Sequence, residues 1–153
     1  MKILLAIDGS PSSQLALTWI VQHQPPDNTT IVAAAVEPPV VASAGMAEMP
    51  GMVATPVVDV DIEEQEEKSL QETLKTAENT LTAAKFSVST HQLQGPIVEA
   101  LIQLAADQHV DMIVAGRRGH GLVASVLLGS VSMGLLTHAQ CPVLIVPDQK
   151  AKT

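Results

Sequence analysis

Ile3-Leu4-Leu5-Ala6-Ile7-Asp8-Gly9-Ser10-Pro11 is the stretch that decides the fold. An unbroken apolar run closed by turn residues is typical of a strand buried on both faces of a parallel sheet. Ser10 suits the cap of a helix and Pro11 its first position. A helix is therefore predicted after Pro11, ending before Pro25, and the apolar residues 30–36 predict a second buried strand. Together these elements form a strand–helix–strand unit.

The rest of the chain continues this alternation with one interruption. Residues 37–59 contain four prolines, which exclude a long helix, and a segment of this length is expected to be either a mobile flap over a site or a disordered insertion. A helix is predicted from Ile62 to about Lys85, with acidic residues at its start, where the helix dipole favours them. The later predicted elements are an edge strand at 86–91, a helix after Gly95-Pro96, a strand at 112–115, a helix at 130–138 and a strand at 143–146.

This order of elements predicts an α/β fold with an open, mostly parallel five-stranded sheet and helices on both faces. We expect a single domain over residues 1–148, a flexible insertion at 37–59 and a tail at 149–153.

Composition excludes several classes of partner. Eight Lys and Arg residues against sixteen Asp and Glu give a net charge of −8, so the basic surface that a nucleic-acid backbone requires is missing. No run approaches the roughly 18 apolar residues of a membrane span. The lone Cys141 and the short apolar run at the start indicate neither an oxidising compartment nor a signal peptide, so the cytoplasm is the expected location.

A glycine-rich loop is the strongest candidate for a binding site. Gly116-Arg117-Arg118-Gly119-His120-Gly121 follows a predicted strand, and Gly129-Ser130 stands where the next helix begins. Glycines let the backbone approach a ligand closely, and a helix start offers unpaired N–H groups and a positive dipole end. With two arginines alongside, a phosphate group is the natural ligand. The alternative is that the glycines only form a tight turn.

The spacing of Gly116, two residues, Gly119, nine residues and then Gly129-Ser130 resembles the signature of the ATP-binding branch of the universal stress proteins. The resemblance extends to the strand ending in Asp8 and to Gly95-Pro96, Val110-Asp111 and Cys141-Pro142-Val143. It implies the strand order 3-2-1-4-5. A ligand would then lie at the carboxyl ends of the first and fourth strands, where the strand order reverses.

The resemblance also implies a set of nucleotide-binding residues. Ala6, Ile7 and Asp8 match positions that contact adenine and ribose, and Val36 matches another adenine contact. Ala115 and Gly116 belong to the same site, with Gly116 on the ribose side. The residues that match the phosphate cradle are Gly119, His120, Gly121, Gly129, Ser130, Val131 and Ser132. The implied ligand is ATP, or AMP or ADP, with any Mg²⁺ held by the phosphates. Arg117 and Arg118 occupy variable positions, so a phosphate role for them is inferred from charge alone.

Other motifs fail on position or composition. Residues 119–124 fit the dinucleotide pattern G-x-G-x-x-A, but they follow the fourth strand and no acidic residue stands about 20 positions later. A phosphate-binding P-loop is absent from the sequence. Residues 130–134 resemble a nucleophile elbow but have Ser130 where the first glycine belongs. The five histidines form no cluster with metal-ligand spacing, so no protein-built metal site is predicted. No catalytic residue is predicted either, because neither His120 nor Asp8 has a visible orienting partner in the sequence.

The resemblance implies a nucleotide-dependent regulator of stress response that forms a homodimer through the strand Val143–Val146. One alternative is a slow ATPase or phosphotransferase, for which His120 and Asp8 are the candidates near the loop. The other is a dimeric interaction module that binds no nucleotide.

Overall fold

A computed structural model describes residues 1–37, 60–119 and 128–148, without the side chains of 60–64. The strands are β1 (Lys2–Ala6), β2 (Thr30–Glu37), β3 (Ser87–Gln94), β4 (Met112–Gly116) and β5 (Val143–Val146). The helices are α1 (Pro11–His23), α2 (Val60–Ala83), α3 (Ile97–Asp107) and α4 (Ser130–His138), with a short 3₁₀ turn at Pro26–Asn28. None of these helices is long and apolar enough to cross a membrane, as far as the described residues extend.

The five strands form one parallel sheet in the order β3-β2-β1-β4-β5, which confirms the predicted order. After β1 the chain adds β2 and β3 on one side, then crosses back to place β4 on the other side of β1. The reversal therefore falls between β1 and β4. The connections that follow β1 and β4 leave in opposite directions, which opens a crevice between the carboxyl ends of these two strands. Ligands bind in this crevice in open α/β sheets.

Helices cover both faces of the sheet and bury two aliphatic layers. One layer joins Leu5 and Ile31 of the sheet to Ile20 of α1 and Leu81 of α2. The other joins strand residues such as Leu4 to Leu101 of α3 and Leu135 of α4. Full burial of an aliphatic side chain contributes about 1.5–3 kcal/mol. The buried side chains of both layers are aliphatic apart from Phe86, so the stability of the sheet comes mainly from aliphatic packing.

The predicted boundaries agree with the observed ones to within two residues, except that β3 runs to Gln94, three residues beyond the predicted end of the edge strand at 91. The bounds of α4 and β5 coincide with the prediction, and α1 begins at Pro11 with the Ser10 hydroxyl accepting from the Ser13 N–H at 3.2 Å. β1 ends one residue earlier than predicted, although the Ile7 N–H still donates to the Ala34 carbonyl at 2.9 Å. Glu37 is the last residue of β2. Residues 38–59 of the predicted insertion and the tail 149–153 lie outside the described residues.

Candidate functional site

A cleft of about 620 Å³ opens at the carboxyl edge of the sheet, over the point where the strand order reverses. Its floor carries three alanines from three neighbouring strands, since Ala6 of β1 pairs in register with Ala34 of β2 and Ala115 of β4. Residues in register on parallel strands point to the same face. The cleft exists because side chains of one carbon each occupy a row where larger residues would fill the space.

One end of the cleft, on the β2 side of β1, is lined by aliphatic side chains from β2 and from the two helices that contact β2 and β3. Val36 lines it from β2, Leu70 from α2, and Ile97 and Leu101 from α3. Such walls suit a flat, weakly polar group such as a nucleobase, which gains from burial against apolar surface.

The other end is polar and is built from chain turns. Asp8 follows β1, and its carboxylate oxygen Oδ1 accepts from the Ser10 N–H at 2.9 Å. Arg118 and Gly119 follow β4, and Gly129 precedes α4. All of these residues line the cleft, so a bound group there would meet one carboxylate, one guanidinium and exposed backbone.

The start of α4 faces this polar end without a side-chain cap. Its cap residue is Gly129, which offers no side-chain acceptor, and its first turn contains no acidic residue. The cleft-facing start of α4 therefore presents N–H groups and a positive dipole end that neither its cap residue nor its first turn neutralises. α1 differs, because Ser10 caps it. An anion is the group that α4 can accept.

Ser132 lines the cleft, but its hydroxyl is engaged by the protein. The Oγ atom lies 2.8 Å from the Gly116 carbonyl oxygen and 3.0 Å from that of Arg117, and the residue is buried. Ser132 thus fastens α4 to the loop after β4. Any contact between Ser132 and a phosphate would use its backbone N–H rather than its hydroxyl.

The loop glycines are required by close packing. A Cβ atom on Gly116 would lie 2.4 Å from the Ser12 carbonyl carbon and oxygen, so α1 approaches β4 only because no side chain is there. A Cβ atom on Gly129 would lie 3.3 Å from the Cα atom of Arg118, and its N–H donates to the Arg117 carbonyl at 2.9 Å. The glycine spacing therefore reflects the contact between the loop and the starts of two helices.

The structure brings the predicted residues to one place. Those that it describes and that line the cleft are Ala6, Ile7, Asp8, Val36, Ala115, Gly116, Gly119, Gly129, Ser130, Val131 and Ser132. His120 and Gly121 lie outside the described residues. The sequence did not indicate the lining residues Ser13, Ala34, Leu70, Ile97 and Leu101. In the sequence, the four aliphatic residues cannot be distinguished from residues of the core. Ser13 cannot be distinguished from any serine in the first turn of a helix.

Two other features of the described residues bear on the chemistry. Among the described residues, no group of three His, Cys, Asp or Glu side chains is arranged to hold a metal ion. Burial raises the pKa of the Cys141 thiol, which favours the neutral form. Cys141 packs against the layer that contains α3 and α4, so its environment is that of a small apolar side chain.

Comparison with known proteins relates this architecture to one family. The model of the universal stress protein family matches residues 1–147. The universal stress protein Rv1996 of Mycobacterium tuberculosis is 30% identical over 97% of this chain. The chain spans 49% of the length of that relative.

Two solved structures share the fold at low identity. One is a universal stress protein family protein from Arabidopsis thaliana with AMP bound, with a TM-score of 0.70 and 18% identity over 97% of this chain and 92% of that protein. The other is a universal stress protein in complex with cAMP, with a TM-score of 0.66 and 22% identity over 97% of this chain and 98% of that protein.

Proposed function

The chain belongs to the universal stress protein family, and from that premise we propose that it binds an adenine nucleotide in the cleft and acts as a nucleotide-dependent regulator in stress response. The observation that carries this proposal is the convergence of the motif residues. Every predicted nucleotide-binding residue that the structure describes lines the same cleft, at the reversal of strand order. If the glycines only formed a tight turn, the ends of β1, β2 and β4 would have no reason to line a common cleft.

The two ends of the cleft support one orientation of the nucleotide. The aliphatic end, over Ala6 and beside Val36 and Leu101, suits the adenine ring. The polar end suits the phosphates, because the uncapped start of α4 favours negative charge. The ribose would then pass Asp8 and Gly116, as the resemblance implies.

The choice of an adenine nucleotide draws on the related structures. The Arabidopsis protein holds AMP and the second structure holds cAMP, so a sheet of this architecture accommodates adenine in those proteins. For the present chain we propose ATP, AMP or ADP as the ligand. Where Mg²⁺ accompanies ATP, the phosphate oxygens and water would hold it, since Mg²⁺ commonly keeps several waters and uses substrate phosphates.

Isothermal titration tests the proposal directly. Nucleotide-stripped protein is titrated with ATP and Mg²⁺, then with AMP, for the wild type and for Ala6→Leu. The larger side chain would occupy the alanine floor, so we expect binding to weaken by at least about tenfold, as loss of a fitted apolar contact surface implies.

The matched control is Ala106→Leu, the same substitution on the exposed side of α3, outside the cleft lining. It should bind like the wild type, and thermal melting should show that all three proteins are folded. A folded wild type that binds none of the nucleotides would overturn the proposal and favour a dimeric interaction module.

A further inference from the structure

The two arginines after β4 have different positions relative to the cleft. Arg118 lines it, whereas Arg117 is not part of its wall. Among the described residues of the wall, Arg118 is the one basic side chain, and it stands at the polar end with Gly119 and Gly129. A cation in that place is suited to an anionic group of the ligand.

Arg118 belongs to a closed ring of three residues. Its backbone N–H donates to the Ser12 hydroxyl at 3.1 Å, and that hydroxyl donates to Asp148 Oδ1 at 2.8 Å. The ring closes with an ion pair and not a hydrogen bond: Asp148 Oδ2 lies 3.4 Å from Arg118 Nε, and that nitrogen has no hydrogen-bond partner among the described residues. The members come from α1, from the loop after β4 and from the segment after β5. The ring therefore ties both the backbone and the side chain of Arg118 to the rest of the fold.

The geometry of the ring bears on what the guanidinium can do. The Asp148 carboxylate faces Nε as an ion-pair partner, so this ion pair does not involve the two terminal nitrogens of the guanidinium. Those nitrogens form the planar donor pair with which arginine binds phosphate. Holding the side chain in place beforehand reduces the conformational entropy that it loses when a ligand binds.

The buried position of Ser12 makes the ring more than a surface ion pair. Ser12 is 5% exposed, whereas the side chains of Arg118 and Asp148 are 31% and 33% exposed. An isolated pair at that exposure contributes little to stability. The effect of the Arg118–Asp148 ion pair is to orient the guanidinium of Arg118.

We propose that Arg118 recognises the phosphate of the ligand and that Ser12 and Asp148 are positioning residues for its guanidinium. The proposal rests on the nucleotide-binding function proposed above and assigns phosphate recognition to one side chain within it. Arg117 carries the same charge one residue earlier but takes no part in the ring described here.

The test compares adenosine with AMP, which differ by the phosphate alone. The ratio of the dissociation constant of adenosine to that of AMP is measured by titration for the wild type, Arg118→Gln, Asp148→Asn and the control Arg117→Gln. We expect Arg118→Gln to reduce this ratio about tenfold, the loss of one charge-assisted contact at a partly exposed site. Affinity for adenosine should stay within about twofold, because the base lies at the other end of the cleft.

Asp148→Asn separates positioning from simple repulsion. It keeps the size of the side chain and an acceptor for Ser12 but removes the charge that holds Nε. We expect the ratio to fall about threefold, and to fall no further when Asp148→Asn is added to Arg118→Gln, because two residues that act through one contact are not additive. A residue with a structural role alone would alter adenosine and AMP binding equally.

Each result that contradicts the expectation overturns a different part of the proposal. A ratio unchanged in Arg118→Gln, or reduced equally in Arg117→Gln, overturns the role of Arg118. Tighter AMP binding by Asp148→Asn overturns the positioning role, because it would show that the carboxylate repels the phosphate. A wild type that binds adenosine and AMP equally overturns this inference but leaves nucleotide binding intact. A wild type that binds neither overturns the proposed function itself.

Discussion

At the scale of single residues, Gly116 at the end of β4 and Gly119 in the following loop serve different purposes. A Cβ atom on Gly116 would lie 2.4 Å from the carbonyl group of Ser12 and 2.8 Å from the backbone nitrogen of Ser13, so α1 itself would have to move. A Cβ atom on Gly119 would meet the Asp8 carboxylate oxygen Oδ2 at 2.8 Å. That oxygen belongs to a side chain, which can rotate. Gly116 is therefore set by the fold and Gly119 by the site.

Substituting each glycine by alanine should separate these purposes. We expect Gly116→Ala to lower the free energy of unfolding by about 2–3 kcal/mol, because overpacking against backbone cannot relax locally. Gly119→Ala should cost less than about 1 kcal/mol, because one carboxylate can shift. Urea denaturation measures both, and the identical chemical change makes each variant the control for the other. Equal stability losses would contradict this assignment.

At the scale of elements, α3 and α4 are brought together by a missing side chain. A Cβ atom on Gly134 of α4 would lie 2.6 Å from one γ-methyl carbon of Val98 on α3 and 3.1 Å from the other. Valine is branched at Cβ and has a restricted choice of rotamers in a helix, so it cannot easily give way. This contact fixes how closely α4, and with it Gly129, approaches the cleft.

The contact predicts an exception to helix propensity. Glycine to alanine inside a helix ordinarily stabilises by about 1 kcal/mol, but we expect Gly134→Ala to destabilise by about 1–2 kcal/mol because of the clash. In a Val98→Ala background the obstructing methyl groups are gone, so the same substitution should stabilise. Denaturation of the four proteins completes a double-mutant cycle. A coupling energy near zero would show that the helices move apart freely.

Element boundaries were predictable where the chain marks them with particular residues. Gly129-Ser130 marks the start of α4, and Pro142 and Pro147 bracket β5, so the predicted bounds of both elements coincide with the structure. Which apolar residues line the cleft was not predictable. Leu70 and Leu74 are four residues apart on α2, yet Leu70 lines the cleft while Leu74 is buried in the core. Periodicity identifies the buried side of a helix but not what lies opposite each residue.

At the scale of the whole molecule, alternation of strands and helices predicted the class, and the glycine spacing, through the family resemblance, predicted the strand order. Neither the alternation of elements nor the glycine spacing could predict the ring around Arg118. Ser12 and Asp148 are 136 positions apart, and they meet only because β1 and β5 flank β4. No local pattern records such a contact. The sequence could therefore indicate that an arginine stands near the polar end of the cleft, but not which of the two lines the cleft or what holds it.

The sheet ends at β5, whose edge supports a proposal about assembly. Among the described strands β5 pairs with β4 alone, and its Val143, Leu144 and Ile145 are partly exposed. Met133 and Leu136, three residues apart on the neighbouring α4, are 51% and 47% exposed. Open apolar strand edges invite pairing with another chain. We propose that a second copy of the chain covers β5 and this face of α4.

Light scattering at micromolar concentration should give the mass of a dimer. Leu136→Glu should shift the equilibrium toward monomer by about tenfold or more, since an interface that closes over this face would bury an unpaired carboxylate. Thr18→Glu adds the same charge at an exposed position of α1, which packs on the opposite core layer from α4, and it should remain dimeric. A wild type of monomer mass would overturn the assembly. Equal dissociation by the two variants would instead point to charge repulsion across a different surface.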